Sequence, residues 1–317
     1  MTIEELLRQG PDGARIRSAR LADGVATVVA DASGLAEAER SAFEQRLKAQ
    51  ASGLSQVREV RVALTAAKRG PKLIAVGSGK GGVGKSTVST NLAVALARLG
   101  HKVGMIDADI YGPSQPTLLG TSERPEARGK QLIPVDAHGI KLLSVGQLVS
   151  EGHALAWRGP MASGALTQLV EGDWVDRDLL IVDLPPGTGD VQLSLLQKSR
   201  PAGAVIVSTP QDLSLIDATR AVDLFRKLSV PILGLIENMA GYDCPHCGQP
   251  SDPFGSGGAE TAAAELGIPF LGRLPLSATL REASDAGQPP AGGTGPAADT
   301  FRLLAEKLLA SLDTAAA

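Results

Sequence analysis

Short apolar runs alternate with stretches of helical spacing over most of the chain after residue 70. Five of these runs, each almost continuously apolar, predict strands at 73–78, 102–106, 179–182, 204–207 and 232–236. Strands of this kind are typical of a parallel sheet that is covered by helices on both faces. The first run is followed by apolar residues at helical spacing, and Gly100 can end that helix in a left-handed conformation. The pattern therefore predicts an α/β fold with a mostly parallel sheet flanked by helices.

A smaller pattern precedes this region. Alternating and helical spacing predict, in order, a strand, a helix and a strand at 25–29, 36–51 and 57–64. A short stretch ending in Gly70 and Pro71 reads as a linker, so we expect a small αβ domain at 1–68 and a larger domain at 71–313. The small module has no cysteine and no obvious catalytic group, which favours a structural or partner-docking role.

Further elements are predicted beyond the first strands. Residues 139–145 suggest an additional strand, and Ser214-x-x-Asp217 has the form of a capping box that opens the helix after the fourth main strand. The string at 157–161 is compact and unusual, but its residue types indicate no role. A final helix is expected at about 298–312, and its balanced charges favour core packing over membrane binding. Its apolar stripe consists of Phe301, Leu304, Leu308 and Leu312.

Composition adds mainly exclusions. The 317 residues carry a formal net charge of -3, and the pI is about 5.9, so there is no general attraction to nucleic acid or to an anionic membrane. No apolar run has the length of a membrane span, and the first residues lack the basic start of a secretory signal. We therefore expect a cytoplasmic protein without nucleic-acid binding or stable membrane association. The only cysteines are Cys244 and Cys247, which excludes a disulfide framework.

The first main strand runs into a glycine-rich stretch. It fits the pattern G-x-x-x-x-G-K-[ST], in which backbone N–H groups wrap phosphates at a helix N-terminus and a lysine reaches the terminal phosphates. Lys85 would be this lysine, and the Ser86 hydroxyl is the expected magnesium ligand. The alternative is a glycine-rich turn that binds nothing. The predicted nucleotide-binding residues of this stretch are Gly79, Lys80, Gly81, Gly82, Val83, Gly84, Lys85, Ser86 and Thr87.

A carboxylate and a glycine follow another predicted strand. Asp183 ends an apolar strand in the manner of a Walker B carboxylate, which holds magnesium directly or through its water shell. Gly187 could offer a backbone N–H to the γ-phosphate. Ligands of parallel sheets bind beyond the carboxyl ends of the strands, where both residues fall. Together with Lys85 and Ser86 they predict a site for ATP and Mg²⁺.

The cysteine pair forms a second candidate site. Cys244-x-x-Cys247 can be a redox dithiol, half of a zinc site or half of an iron-sulfur site. Proline and glycine around the pair suggest an open loop rather than the helix N-terminus that a redox dithiol expects. Zinc and iron-sulfur sites usually need four ligands, and two copies of the loop on a twofold axis would supply four cysteines. His246 is an alternative ligand.

The glycine-rich stretch resembles a particular kind of phosphate loop. Its second lysine, Lys80, resembles that of the deviant Walker A motif of the MinD/ParA/nitrogenase-iron-protein class of ATPases. The resemblance implies that Lys80 crosses a dimer interface to the nucleotide of the other subunit, that Asp109 orients the attacking water, and that Asn238 lies against adenine. The alternatives are a solvated lysine, a turn or N-cap aspartate, and a simple turn asparagine.

Six strings together resemble the Mrp/ApbC family over about residues 71–290. This resemblance implies an ATP-dependent iron-sulfur carrier that holds a 4Fe-4S cluster between two subunits and passes it to apo-proteins. The N-terminal module weakly resembles the accessory domain of bacterial members, although it lacks the usual Asp-Pro-Glu-like start and cysteine. The strings are the phosphate loop, Asp107-Ala108-Asp109-Ile110-Tyr111-Gly112-Pro113-Ser114, Trp157-Arg158-Gly159-Pro160-Met161, Asp183-Leu184-Pro185-Pro186-Gly187-Thr188-Gly189-Asp190, Glu237-Asn238-Met239 and Cys244-Pro245-His246-Cys247.

The leading hypothesis is a homodimeric P-loop ATPase in which nucleotide state changes a cluster-bearing interface. Its predicted catalytic residues are Lys80, Lys85, Asp109 and Asp183, and its predicted cluster ligands are Cys244 and Cys247. A positioning ATPase of the MinD/ParA kind is one alternative, although it does not need the cysteines. A zinc-stabilised dimeric nucleotide-binding adaptor is the other.

Overall fold

The computed structural model describes residues 2–33, 35, 37–54, 56–65, 70–129, 131–148, 159–244 and 246–316. Its contacts divide the chain into two compact units, Met1–Arg69 and Gly70–Ala317. Each unit has its own hydrophobic core. None of the helices in these ranges is both long enough and apolar enough to cross a membrane.

The first unit packs helices against a small sheet. Strand β2 lies between β1, to which it is antiparallel, and β3, to which it is parallel. The core between sheet and helices includes Leu7, Ile16, Phe43 and Leu47, all buried. Its elements are α1 (Ile3–Arg8), a 3₁₀ turn (Gly13–Arg15), β1 (Ile16–Ala22), β2 (Val25–Asp31), α2 (Glu37–Ser52) and β3 (Glu59–Thr65).

The hydrophobic pattern predicts β2, α2 and β3 but misses α1 and β1. Both missed elements carry polar signals instead. Thr2 and Glu5 form a capping box at the start of α1, in which each side chain accepts the other's backbone N–H. Asp23 and Gly24 both have positive φ, 52° and 80°, and make the two-residue turn between β1 and β2. Asp-Gly is a typical sequence for such a hairpin turn.

The second unit alternates strands and helices. Its first half consists of β4 (Lys72–Gly77), α3 (Lys85–Arg98), β5 (Val103–Asp107), α4 (Gln115–Leu118), β6 (Glu126–Arg128), β7 (Gln131–Ile133), β8 (Val135–Ala137), β9 (Ile140–Ser144), a 3₁₀ turn (Val145–Leu148) and α5 (Gly159–Val170). Its second half consists of β10 (Leu179–Asp183), α6 (Asp190–Ser199), β11 (Gly203–Ser208), α7 (Asp212–Lys227), β12 (Ile232–Asp243), β13 (Pro250–Ser251), α8 (Gly258–Leu266), β14 (Phe270–Leu276), α9 (Ala278–Asp285), a 3₁₀ turn (Pro290–Gly292) and α10 (Pro296–Ala316).

Within the described residues, one nine-stranded sheet organises this unit. The strand order is β13-β12-β11-β4-β10-β5-β9-β8, and β14 also pairs with β12. The pairs among β4, β5, β9, β10, β11, β12 and β14 are parallel, whereas β8 and β13 run antiparallel to their neighbours. The predicted mostly parallel α/β sheet is therefore confirmed.

Successive residues of the central strands enter two different cores, because side chains alternate across a strand. Ile74 and Val76 of β4 pack with α3 and α10 on one face, whereas Leu73 and Ala75 pack with α5, α6, α7 and α8 on the other. The four-residue stripe predicted for the last helix is buried in the first of these cores. Burial on both faces explains why the strands are apolar throughout.

All five predicted main strands are present as β4, β5, β10, β11 and β12, but two predictions are wrong in detail. The strand predicted at 232–236 continues to Asp243, because β13 and β14 pair with its second half. The capping box predicted at Ser214 is absent. Helix α7 begins at Asp212, and the Ser214 hydroxyl instead accepts hydrogen bonds from the Ser208 hydroxyl and the Thr209 N–H. Of the string 157–161, Trp157 and Arg158 lie outside the described residues.

Candidate nucleotide site and cysteine hairpin

The glycine-rich stretch forms a loop between β4 and α3, and two of its glycines are required sterically. A Cβ on Gly79 would lie 2.1 Å from the backbone carbonyl of Asp217 in α7. Gly84, the N-cap of α3, has φ of 80°, and a Cβ there would lie 2.2 Å from the Nδ2 atom of Asn238. Residues with side chains would displace the loop at both positions. We call residues 79–87 the nucleotide loop.

Lys85 brings three of the predicted site residues together. Its Nζ atom lies 2.6 Å from the Asp183 Oδ1 atom and 3.9 Å from the Asp109 Oδ2 atom, and it donates to the Ser86 hydroxyl at 3.4 Å. The Lys85 side chain is only 6% exposed and that of Asp183 is fully buried. Sheet register produces this arrangement, because Asp183 is paired with Val76 at the end of β4. The lysine, hydroxyl and carboxylates predicted from separate motifs therefore share one site.

Two further carboxylates lie at the end of β5. Asp109 accepts the backbone N–H groups of Tyr111 and Gly112 through Oδ1, at 3.2 and 3.3 Å, and burial raises its pKa against the opposing effect of Lys85. Asp107 is fully buried, and desolvation, with the charge of Asp183 second, raises its pKa to about 7. The carboxyl group of Asp107 thus titrates near neutral pH, whereas that of Asp109 is held by the loop that follows it.

Gln115, the first residue of α4, is a site residue that no motif predicts. Its side-chain Nε2 atom donates to the Asp183 Oδ2 atom at 2.8 Å and to the Ser86 carbonyl at 3.1 Å. The Thr90 hydroxyl donates to its Oε1 atom, and Ser89 donates to Asp183 Oδ1 at 2.9 Å. All these side chains lie inside the protein, so α3 buries hydroxyl groups beside its apolar face. No sequence pattern marks Ser89 and Thr90 as site residues, because their partners Asp183 and Gln115 are brought to them only by the fold.

The other predicted nucleotide-site residues surround the loop. Lys80 is half-buried and forms no ion pair with any described residue. Gly187 has φ of 85°, and its N–H donates to the Ser78 carbonyl at 3.1 Å, so this donor already has a protein partner. Asn238 donates from Nδ2 to the Val83 carbonyl of the loop at 2.8 Å. This bond leaves one N–H and the Oδ1 atom of the amide for another acceptor and donor.

The cysteines lie at the tip of a β-hairpin. Strand β12 continues to Asp243 and pairs with β13 through Tyr242 opposite Ser251 and Asp243 opposite Pro250. The tip is closed by hydrogen bonds from the Cys244 N–H to the Gln249 carbonyl at 3.1 Å and from the Gly248 N–H to the Cys244 carbonyl at 2.8 Å. We call residues 241–252 the cysteine hairpin. The pair therefore lies in a turn and not at a helix N-terminus. This agrees with the open loop expected from the sequence.

The backbone of the tip favours a thiolate. The N–H groups of His246 and then Cys247 donate to the Cys244 sulfur and lower the pKa of this thiol. Cys244 is half-buried and Cys247 is exposed. Among the described residues, no group of three or more His, Cys, Asp or Glu side chains is placed to hold a metal ion. The donors present are two thiols, which suit a soft metal centre but do not complete one.

A phosphate loop on the central strand of a parallel sheet, with a buried carboxylate on the neighbouring strand, defines a P-loop nucleotide-binding fold. A family model described as NUBPL iron-transfer P-loop NTPase matches residues 70–309. This chain belongs to that family. The resemblance to the iron-sulfur carrier ATPases that the motifs predict is thereby confirmed at the family level.

Named relatives agree with this assignment. An iron-sulfur cluster carrier protein of Pseudomonas fragi is 52% identical over 223 residues, which cover 69% of this chain and 78% of the relative. The mitochondrial iron-sulfur protein required for NADH dehydrogenase of Arabidopsis thaliana is 50% identical over 220 residues, covering 68% and 70%. An iron-sulfur cluster carrier protein of Escherichia coli K12 is 48% identical over 245 residues, covering 76% and 66%.

Solved structures share the fold. A nucleotide-binding protein of Archaeoglobus fulgidus in complex with ADP has a TM-score of 0.62 and 38% identity, and the match covers 70% of this chain and 89% of that one. The MinD cell division protein of Aquifex aeolicus has a TM-score of 0.56 at 22% identity, covering 75% and 97%. The second likeness shows the fold alone.

Proposed function

We propose that this chain is an ATP-hydrolysing carrier of a 4Fe-4S cluster, which it holds at a homodimer interface and passes to apo-proteins. The observation that carries the proposal is the tip of the cysteine hairpin. It presents a thiol whose pKa is lowered by backbone N–H groups, next to a second, exposed thiol. A 4Fe-4S cluster takes four thiolate ligands, so two hairpins related by a twofold axis would supply them. The relatives named as iron-sulfur cluster carrier proteins support iron-sulfur as the cargo.

The nucleotide site has the donors that ATP hydrolysis needs. Lys85 would bind the terminal phosphates, and Asp109 would orient the attacking water. A hydroxyl and a carboxylate oxygen suit Mg²⁺, so the Ser86 hydroxyl and the Asp183 carboxylate would hold it, and its charge would neutralise the phosphate oxygens. The Asn238 amide, oriented by its bond to Val83, would offer its remaining donor and acceptor to adenine.

Several features around the nucleotide loop support a face-to-face dimer. Lys80 has no ionic partner among the described residues, so its charge is available to a nucleotide on another subunit. Large apolar side chains lie exposed on the segments that contact the loop or its ligating residues. Leu213 and Ile216, one helical turn apart in α7 before Asp217, are 73% and 52% exposed, and Tyr111 beside Asp109 is 76% exposed. Leu213 and Ile216 lie on one face of α7, and neighbouring exposed apolar side chains of this kind support an interaction surface.

Anaerobic reconstitution with iron and sulfide tests the proposal. We expect about two iron atoms per chain, the ratio of one four-iron cluster per dimer, together with a broad iron-sulfur absorbance. Cys244→Ala and Cys247→Ala should each abolish both signals. His246→Ala, on the same tip, is the matched control and should retain them. Metal analysis of the purified protein belongs to the same experiment. Tightly bound zinc without any iron uptake would show that the hairpin is a zinc site and would refute the carrier.

A further inference from the structure

Strand β12 connects the two candidate sites directly. At its middle, the Asn238 side chain donates to the Val83 carbonyl of the nucleotide loop at 2.8 Å. At its end, Asp243 is followed at once by Cys244. A displacement of the nucleotide loop can therefore reach the cysteines through one hydrogen bond and the few residues of β12 that follow Asn238.

The contact between loop and strand leaves no room for a side chain at Gly84. A Cβ on Gly84 would lie 2.2 Å from the Asn238 Nδ2 atom and 3.8 Å from the terminal methyl carbon of Met239. Glycine at this position allows the amide to reach the loop backbone. Because only the NH₂ end of the amide can donate to a carbonyl, the bond also fixes which way the Asn238 side chain faces. The position of the loop relative to β12 is thus fixed by one defined hydrogen bond.

Below this contact, β12 is firmly held. The fully buried Glu237 carboxylate accepts the N–H groups of Gly257 and Ala259, at 3.1 and 2.8 Å, and the Arg273 Nε–H at 2.9 Å. These bonds fix β12 to the start of α8 and to β14. A carboxylate satisfied by three donors inside the protein is not expected to move when the loop binds a ligand.

Above the contact, the strand is irregular. Met239 has φ of 61°, in the left-handed region that a methionine rarely occupies, and Gly241 has φ of 81°. The pairing of β12 with β14 shifts register between Asn238 and Tyr242. Such a conformation costs on the order of 1–2 kcal/mol for a residue with a side chain, and strained backbone of this kind is often found at sites that change conformation. The cysteine hairpin begins at Gly241, within this irregular segment.

We propose that Asn238 is the positioning residue through which the nucleotide loop sets the orientation of the cysteine hairpin. This proposal rests on the proposed function, because it describes how ATP binding would affect the cysteines that hold the cluster. Phosphates that bind the loop fix the position of the Val83 peptide. The Asn238 amide, which is bonded to the Val83 carbonyl, moves with it, whereas Glu237, the preceding residue of β12, stays in place. The irregular backbone at Met239 then turns the hairpin. Coupling of this kind is reciprocal. If nucleotide changes the affinity of the two cysteines for a ligand by some factor, that ligand must change the affinity for nucleotide by the same factor.

Thiol alkylation of the whole 317-residue chain, free of metal, tests this route. The rate at which Cys244 and Cys247 react with a maleimide is compared with and without saturating Mg·ADP, and each variant is saturated according to its own measured affinity. For the unmodified sequence we expect the rate to change by about fivefold, the lower end of usual coupling between sites. In Asn238→Ala the nucleotide should no longer change the rate. Asn238→Gln, which keeps the amide donor, should restore part of the response.

Two further variants separate positioning from general damage. Ser251→Ala, at the base of the hairpin, removes a hydroxyl that donates to the Tyr242 carbonyl of β12 at 3.4 Å but takes no part in the Asn238–Val83 bond, so it should keep the full response. Met239→Gly relaxes the left-handed backbone while leaving the Asn238 bond in place, and it should reduce the response without abolishing nucleotide binding. An undiminished response in Asn238→Ala, or no response in the unmodified sequence, would overturn the proposal. The alkylation experiment uses protein without iron, so its result does not depend on whether a cluster can be reconstituted. The positioning role of Asn238 and the carrier function can therefore fail independently.

Discussion

The nucleotide loop and the cysteine hairpin differ in how completely the chain surrounds them. Around the loop, α7 contacts Gly79, β12 contacts Gly84, and the Asp183 carboxylate has Lys85, Ser89 and Gln115 as partners. At the hairpin tip, two backbone hydrogen bonds close the turn, and Cys247 lies exposed. The loop is therefore shaped by the whole fold, whereas the tip depends mainly on its own backbone.

This difference matches two kinds of chemistry. Phosphate binding and hydrolysis need preorganised charges, which a rigid and buried framework supplies. A site that releases its cargo to another protein has to remain accessible, and thiols at an exposed turn meet that need. We infer that changes to the loop residues that the fold contacts closely, such as Gly84 and Lys85, should disturb both stability and chemistry, whereas changes to the tip should disturb only metal binding.

Lys85→Ala should produce the largest effect. Removal of the ammonium group leaves the fully buried Asp183 carboxylate without its charge partner, and breaking a buried pair in this way costs about 3–5 kcal/mol. Loss of one preorganised stabilising group at the phosphates should also lower ATP hydrolysis by about 10²- to 10³-fold. Urea unfolding and phosphate release measure the two effects.

Lys80→Ala is the matched control for that variant. Lys80 belongs to the same loop but forms no ion pair with a described residue, so its removal should change the unfolding free energy by less than about 0.5 kcal/mol. Hydrolysis should still fall if Lys80 acts across a dimer. Equal losses of stability in the two variants would mean that the buried pair has no special role in the fold.

Gly84→Ala should have the next largest effect, and Gly81→Ala in the same loop should have almost none. Alanine at Gly84 must adopt left-handed backbone, which costs about 1–2 kcal/mol, and its Cβ must also displace Asn238. A Cβ on Gly81 meets only Pro186, at 4.0 Å. Thermal unfolding without nucleotide measures the difference. A similar melting temperature for both variants would contradict the close contact between loop and β12.

The sequence predicts the loop better than its surroundings for a physical reason. Gly79, Lys85 and Ser86 form a local pattern that folds in the same way wherever a strand precedes and a helix follows. Gln115 has no such pattern, because its three partners come from β10 and α3 and are brought together only by the tertiary fold. The helix start at Ser214 is mispredicted for a more local reason, since its hydroxyl accepts hydrogen bonds from Ser208 and Thr209 at the end of β11.

The cysteine hairpin shows the same limit. Proline and glycine around the cysteines predict a turn, but the extension of β12 to Asp243 depends also on pairing with β14, which is distant in sequence, and not only with β13 of the same hairpin. The contact of Asn238 with Val83 likewise joins segments that no local pattern links. Individual motifs are therefore readable from the sequence, whereas the connection between the two sites is not.

Asp107→Asn should change how stability depends on pH. The pKa of Asp107 is about 7 in the folded protein and about 4 in an unfolded chain. Between these values the folded state binds more protons, so stability falls as pH rises, by up to about 1.4 kcal/mol per pH unit from this group. The asparagine variant lacks this term, so its stability relative to the unmodified protein should increase from pH 5 to pH 7. Urea unfolding at both pH values measures it, and parallel pH profiles would argue against a protonated Asp107.

Cys247→Ala should leave the fold almost unchanged while removing the proposed cargo. The Cys247 thiol is exposed, so its loss from the metal-free protein should change the unfolding free energy by less than about 0.5 kcal/mol. Iron uptake in reconstitution should nevertheless fall to background, because one thiolate of each pair is gone. Unfolding of the metal-free variant and iron analysis after reconstitution separate the two quantities. A loss of stability above about 1 kcal/mol would place the tip in the structural framework, and the contrast with the nucleotide loop would not hold.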